Sequence, residues 1–354
     1  MTTPNLDLDP LDGYQPLATH HCVTGSMRHI YLFHAHDISE DMLLGVGGGV
    51  GYIYWAQKGA LPTMGGRRID KVRGFEPVTA ARTGVQVEAH RTTSAAKAER
   101  TLLEQLDAGQ PVMLQVDMGF LPYFDFGGEE YHFGGHVVVA WGYDAANHTV
   151  LIADRDSELH PVPMAALAAA RGSTHKPFPP KNCWWTWDFS QKRAPTGDEV
   201  RQAIHEQAHD MLHPPISNIG VAGIRKAAQM VLTWPRTMDP DRLRLALFNA
   251  YIFIDAVGGT GGGTFRYMFS RFLREGAAFT GGDRLLAVAD DFQHIADQWQ
   301  AVAAWFLNTS ERSDAASVLP EVVRPLEDIA DLEQAAWTRL EAITADAERV
   351  TQHS

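Results

Sequence analysis

From residue 197 to residue 350, apolar side chains recur at three- and four-residue spacing through the stretches 197–212, 216–232, 241–257, 265–278, 282–308 and 317–350. That period commits almost half of the chain to amphipathic helices, each of which needs another to cover its apolar stripe. Upstream the pattern is different. Helical stretches at 23–33, from Ser39 onward and at 95–108, the last closed by Gly109, alternate with short β-rich runs at 111–116, 136–143 and 149–153. The connection 144–148 between the last two runs is short and rich in turn formers, which suits an antiparallel hairpin. Around 171–196 the chain is dense in Pro and turn residues and loses its period, so a boundary is expected there. The expectation is an α+β chain: a domain over 1–190 with an antiparallel sheet, then an all-α domain over 191–354.

Size and charge narrow the function classes. With 354 residues, 45% of them hydrophobic, the chain can bury two ordinary cores. Lys and Arg number 30 against 43 Asp and Glu, a net charge of −13, which argues against a general nucleic-acid or anionic-membrane surface, because neutralising phosphates takes clustered cations. Two cysteines, Cys22 and Cys183, cannot make a disulfide framework and read as thiols in a reducing compartment. The first residues are acidic and carry no apolar core of a signal peptide, and no apolar run reaches the roughly 18 residues of a membrane span. A cytoplasmic location is expected, with neither nucleic acid nor membrane as partner.

The chemistry-bearing residues that stand out are Cys22, His136 and Asp154. A thiol at a helix start meets the positive end of the helix dipole, which favours thiolate. His136 opens a strand directly after Gly134-Gly135, where small residues leave room for a second group, and could take the thiol proton. Asp154 ends the neighbouring strand and could fix the imidazole tautomer, with Asp156 the less favoured substitute. Cysteine on a helix, then histidine and an acid on adjacent strands, is the order of papain-like enzymes. The plain alternative is a buried cysteine beside a satisfied strand histidine. Gln15 is a candidate oxyanion donor together with the Cys22 backbone N–H, His20 and His21 are neighbours able to tune Cys22, and Glu40 could face the same cleft.

Other features compete. His205-Glu206-Gln207-Ala208-His209 matches the His-Glu-x-x-His zinc pattern, but the extended pattern wants Gly at 212 and His at 215, where Leu212 and Pro215 stand. A solvated helix face, with no metal at the site, is the favoured reading. The cluster Gly45-Val-Gly-Gly-Gly-Val-Gly51 completes no dinucleotide fingerprint and follows a helix rather than a strand. A second cluster, 258–266, enters a helix and could cradle an anion through Gly261, Gly262 and Arg266, with tight helix packing as the equal alternative. Trp184, Trp185 and Trp187 read as an interdomain packing cluster.

These residues carry a resemblance. His21-Cys22 followed by SEDMLLGVGGGVGYIYW, the unit GGHVVVAWGYD…VLIADRD, and FIDAVGGTGGGTFRYMFSRFLREGAAFTG resemble the butirosin biosynthesis protein H family over nearly the whole chain. The first part is similar, more distantly, to bacteriocin-processing double-glycine peptidases. The resemblance implies a papain-like first domain and an acyltransferase that moves an acyl or aminoacyl group from an acyl carrier protein, or another thioester, to an amine. It implies Cys22 as nucleophile, His136 as proton relay and Asp154 as its orienter. No bound cofactor is implied, phosphopantetheine entering only as part of the donor, with Gly261, Gly262 and Arg266 candidates to hold its phosphate or the acceptor. A homodimer is compatible. Docking an acidic carrier would need a basic patch, for which Arg67, Arg68, Lys71 and Arg73 form the densest run. The alternatives are a cysteine peptidase or amidase on the same residues, a catalytically dead scaffold, and a zinc hydrolase at His205 and His209.

Overall fold

The computed structural model describes residues 10–57, 60–68, 72–126, 131–280 and 282–351. In chain order its elements are α1 (Cys22–Phe33), α2 (Glu40–Val46), β1 (Tyr54–Trp55), β2 (Thr63–Met64), α3 (Phe75–Arg82), β3 (Gln86–His90), α4 (Ala95–Asp107), β4 (Val112–Val116), β5 (His136–Asp144), β6 (Thr149–Ala153), β7 (Leu159–Pro163), α5 (Met164–Gly172) and β8 (Trp184–Asp188). Helices follow: α6 (Gly197–Leu212), α7 (Gly220–Val231), α8 (Trp234–Thr237), α9 (Pro240–Ile254), α10 (Arg266–Thr280), α11 (Asp283–Ser310), α12 (Ala315–Val318) and α13 (Pro320–Thr351). The chain is therefore α+β, an antiparallel sheet region followed by helices. Among the described residues no helix is long and apolar enough to cross a membrane.

Two compact units divide the chain, and the division is discontinuous. The first takes the residues up to Glu40 and Gly84–Arg193; the second takes Asp41–Thr83 and everything from Ala194. The expected first domain, continuous over 1–190, differs in one respect: 41–83 packs with the helices. The reason lies in the glycines of 45–51. A Cβ at Gly45 would sit 2.1 Å from the Phe272 ring, and one at Gly51 would sit 2.8 Å from the Arg68 backbone. Gln207 of α6 locks the loop, its amide accepting from Val50 N and donating to Gly45 O. Those glycines serve close approach, to a helix side chain at Gly45 and to the backbone of Arg68 at Gly51.

The first unit is built on a six-stranded antiparallel sheet in the order β3-β8-β4-β5-β6-β7. Its central strands are largely buried, and their sequences VMLQV, HVVVAW and TVLIA are correspondingly apolar. Val138, Ala140, Leu114 and Ile152 form a core with Leu102 and Leu106 of α4 and Leu167 of α5. The alternating residues Val137, Val139 and Trp141 are buried too, and α1 packs on β5 and β4. α4 is capped by Ser94, which accepts from Lys97 N, and stops at Gly109 with a left-handed φ of 71°. The tryptophans expected to pack between domains instead form β8, pairing with His90 on one side and Leu114 on the other.

The second unit is helical apart from the short β1–β2 hairpin. Its centre holds Arg266 and Glu333, both with fully buried side chains. Arg266 grips Glu333 with two bonds of 2.8 and 2.9 Å, and donates 2.7 Å bonds to the carbonyls of Gly51 and Thr264. Trp299 and Trp337 each donate an indole N–H to Glu333 at 2.8 Å. Every charge in this cluster is met, which is what a low-dielectric interior requires.

Candidate active site

Cys22 is the first residue of α1, where backbone N–H groups have no intrahelical acceptor. Its predecessor His21 is the N-cap, with an extended backbone and a ring that accepts Thr24 N through Nδ1. Glu40 fixes this entry from outside: it accepts from the backbone N–H groups of His20 and His21, both at 2.9 Å, and from the Thr24 hydroxyl at 2.8 Å. Further along the helix, Ser26 donates to the Val137 carbonyl and so ties α1 to the strand that begins with His136.

β5 and β6 then bring the acid to the base. Val139 pairs with Ala153, the last residue of β6, so Asp154 leaves the ladder close to the start of β5, where His136 stands. His136 Nε2 donates to Asp154 Oδ2 at 2.7 Å, and the same oxygen accepts from the Tyr123 hydroxyl at 2.9 Å. Asp154 leaves His136 Nδ1 unused, and the Cys22 thiol and the His136 ring act on each other's protonation. Thiol, imidazole and carboxylate thus follow one another at the start of α1 and the adjoining ends of β5 and β6.

The electrostatics favour an ion pair. Burial alone would push the Cys22 thiol up, but the neighbouring His21 ring, when protonated, and the His136 ring hold it well below the usual thiol range. Burial likewise opposes protonation of His136, yet the Asp154 charge and its hydrogen bond, helped by Cys22, raise it to about 10. Asp154 is buried, which favours its neutral form, and His136 more than offsets this, so its carboxyl lies below the ordinary range. A thiolate beside an imidazolium is the arrangement of a cysteine nucleophile with its base.

Behind the acid lies a second histidine. His29 is buried and meets the Trp141 ring edge-on, and burial followed by the Arg28 charge lowers it to about 4, against an opposing pull from Asp154. It is therefore neutral. Its Nε2, Asp154 Oδ1 and Trp141 Nε1 are buried without hydrogen-bond partners.

Several residues expected at the site stand elsewhere or act differently. Gln15 is exposed and makes no hydrogen bond among the described residues, so nothing holds it as an oxyanion donor. Glu40 spends both oxygens on the start of α1 rather than facing a substrate. Arg266 is consumed by Glu333, and the loop of Gly261 and Gly262 folds on itself: Gly262 N donates to Thr260 and Gly263 N to Gln300. The left-handed φ values of 67° and 83° at Gly261 and Gly262 account for those glycines, and the anion cradle is withdrawn. Asp156 pairs with His160 instead of His136. In the basic run, Arg68 pairs with Asp210, Arg73 with Glu206, and Arg67 lies over the Phe75 ring, while Lys71 falls outside the described residues.

The zinc-hydrolase alternative also fails on geometry. Glu206, which would be its base, accepts from Arg73, Arg82 and Gln202, and His205 Nδ1 bonds the Thr344 hydroxyl. Burial raises the Glu206 carboxyl, but those arginines hold it below the usual range, as a poor proton acceptor. Tyr123 and His29 were not anticipated; neither lies in a recognisable spacing, and both act only through the fold. Cys183 is buried in the sheet region.

Comparison with known families gives two matches. Residues 21–155 match the model of butirosin biosynthesis protein H, N-terminal, and residues 165–340 match a domain of unknown function, DUF4872. No curated protein matches the chain.

Proposed function

This chain belongs to the butirosin biosynthesis protein H family, and from that membership we propose an enzyme of small-molecule, antibiotic-type biosynthesis that transfers an acyl group from a thioester to an amine through Cys22. The observation that carries the proposal is the grouping of Cys22, His136 and Asp154, with His136 bonded to Asp154 at 2.7 Å and coupled electrostatically to Cys22. Helix, strand and strand supply the three groups in papain-like order.

In the first half-reaction the Cys22 thiolate adds to the thioester carbonyl. The C–S bond to the carrier thiol breaks, and the His136 imidazolium protonates the departing sulfur. Thiolate attack on a thioester exchanges like for like, so little driving force is lost. In the second half-reaction an amine adds to the acyl-Cys22 carbonyl, His136 takes one amine proton, and the amide leaves as the Cys22 thiolate reforms. The carbonyl oxygen, negative in both tetrahedral intermediates, would be met by the N–H groups of Cys22 and Val23 at the start of α1. A single such donor is typically worth about 10²–10³ in rate. Asp154 keeps the His136 proton on Nε2, so that Nδ1 can relay; Tyr123 fixes the carboxylate.

The donor is an acyl carrier protein or a small thioester, its phosphopantetheine arm part of the substrate. Intact-mass measurement after exposure to a panel of acyl thioesters tests the proposal, with Cys22→Ala beside it. An acyl adduct is expected on the wild type alone. An adduct persisting in Cys22→Ala, or none with any thioester, overturns it. Amine added to the adduct separates transfer from hydrolysis: faster turnover to amide supports the transferase, and hydrolysis unaffected by amines makes the chain a cysteine hydrolase.

A further inference from the structure

We propose that His209, His213 and Glu341 form a divalent transition-metal site, with zinc as its natural ion, that clamps α6 to α13. The pattern His-Glu-x-x-His drew attention to this helix, but the ligands it placed together are different ones. His205 is held by Thr344, whereas His209 and His213 lie one turn apart at the end of α6, their ring centroids 4.9 Å apart.

The third donor comes from α13. Glu341 Oε1 is 3.2 Å from His213 Nε2 and 3.8 Å from His209 Nδ1, and all three candidate ligand atoms lie within 4.8 Å of one another. Two donors about 2.1 Å from a tetrahedral zinc stand about 3.4 Å apart, so two edges of the triangle already bracket the required length. Small rotations of exposed side chains close the third. The side chains of His209 and His213 are 56% and 55% exposed and that of Glu341 29%, which leaves a path for the ion and room for water at the fourth position.

Charge sorting on α6 points the same way. Two of its own carboxylates are neutralised by arginines, Glu206 by Arg73 and Arg82 and Asp210 by Arg68. Glu341, facing the same helix, has no Lys or Arg partner among the described residues and meets only imidazoles. Two imidazoles and a carboxylate suit zinc and its neighbours rather than calcium or magnesium. No general base stands beside the three donors, because Glu206 is spent on its arginines. The site is therefore a structural clamp within the helical unit, distinct in place and chemistry from the Cys22 site.

The test uses the full chain, freed of metal with EDTA. Equilibrium dialysis against zinc and thermal melting with and without it are run on the wild type, His209→Ala, His213→Ala, Glu341→Gln and Cys22→Ala, the last because a thiolate among imidazoles also attracts zinc. One zinc per chain and a raised melting temperature are expected in the wild type and in Cys22→Ala. Each histidine variant should bind more than tenfold more weakly and lose the shift, with its zinc-free melting temperature unchanged because both positions are exposed. Cobalt should give the visible band of a tetrahedral site in the wild type and in Cys22→Ala, and in neither histidine variant. Binding that survives His209→Ala and His213→Ala, that disappears with Cys22→Ala, or that is absent from the wild type overturns the proposal.

Discussion

Replacing Asp154 by Asn removes one charge at nearly constant shape. The carboxylate lies 2.7 Å from His136 Nε2 in a buried setting. A hydrogen bond to a charged group contributes about 1.5–3 kcal/mol, a neutral one about 1 kcal/mol, so the imidazolium loses about 1–2 kcal/mol of support. At 1.36 kcal/mol per pKa unit, His136 should fall by about one unit or slightly more. The sign for Cys22 follows: a less stable imidazolium supports the thiolate less, so the thiol rises by a similar amount. A further loss comes from the amide itself, which can turn its NH₂ toward Nε2 and force the proton onto Nδ1, the atom that must receive protons. The same exchange in a serine triad lowers turnover by about 10⁴. The assay is iodoacetamide alkylation of Cys22 as a function of pH, with Cys22→Ala subtracted. The wild-type rate should reach its plateau well below the pH range of an ordinary thiol, and Asp154→Asn should shift the inflection upward by about one unit while acyl loading falls at least a hundredfold. Superimposable profiles for the two proteins would refute the argument that Asp154 acts on Cys22 through the charge on His136.

Other consequences follow from single residues. His29 is lowered from 6.5 to about 4, so below pH 6.5 the unfolded chain takes up a proton that the folded one refuses. Stability should fall as the pH drops from 6.5 to 4, by up to about 3 kcal/mol, and His29→Phe should flatten that limb in urea melts. Arg266→Ala strands the buried Glu333 carboxylate and should cost about 3–5 kcal/mol, read as a lowered denaturation midpoint; an unchanged midpoint would refute the structural role given to this pair. Glu40→Gln keeps one acceptor oxygen where two are used, so the start of α1 should loosen and alkylation of Cys22 should slow by up to about tenfold, with the pH inflection moved upward.

Where the sequence alone suffices and where it does not follows from burial. Strands β4, β5 and β6 are central and apolar, and their boundaries could be read to within a residue or two. Strands β3 and β7 are the two sheet edges, and neither was foreseen. QVEAH of β3 is largely exposed, and LHPVP of β7 carries two prolines, tolerated at an edge because one side of the strand makes no ladder. β8 was hidden by the prolines and turn residues around it, although three aromatics in WWTWD are a strand signal. At the site, Cys22, His136 and Asp154 could be named because their roles follow from element type and order. Gln15, Arg266 and Glu40 could not be placed, since which partner a polar side chain finds is decided by contacts far along the chain, as with Arg266 and Glu333.

The excursion of 41–83 into the helical unit bears on how the protein is made. On a ribosome these residues emerge before Gly84–Arg193 and long before α6 and α10, on which Gly45 and Val50 depend. At about 5–20 residues per second, synthesis of the intervening stretch takes on the order of ten seconds. During that interval the sheet unit can close, while α2, the glycine loop and α3 wait with their apolar faces uncovered. The helical unit is accordingly not a module that can be appended to or trimmed from a finished enzyme. A chain ending near residue 190 would carry a folded sheet with an orphaned loop, a natural substrate for chaperones and proteases.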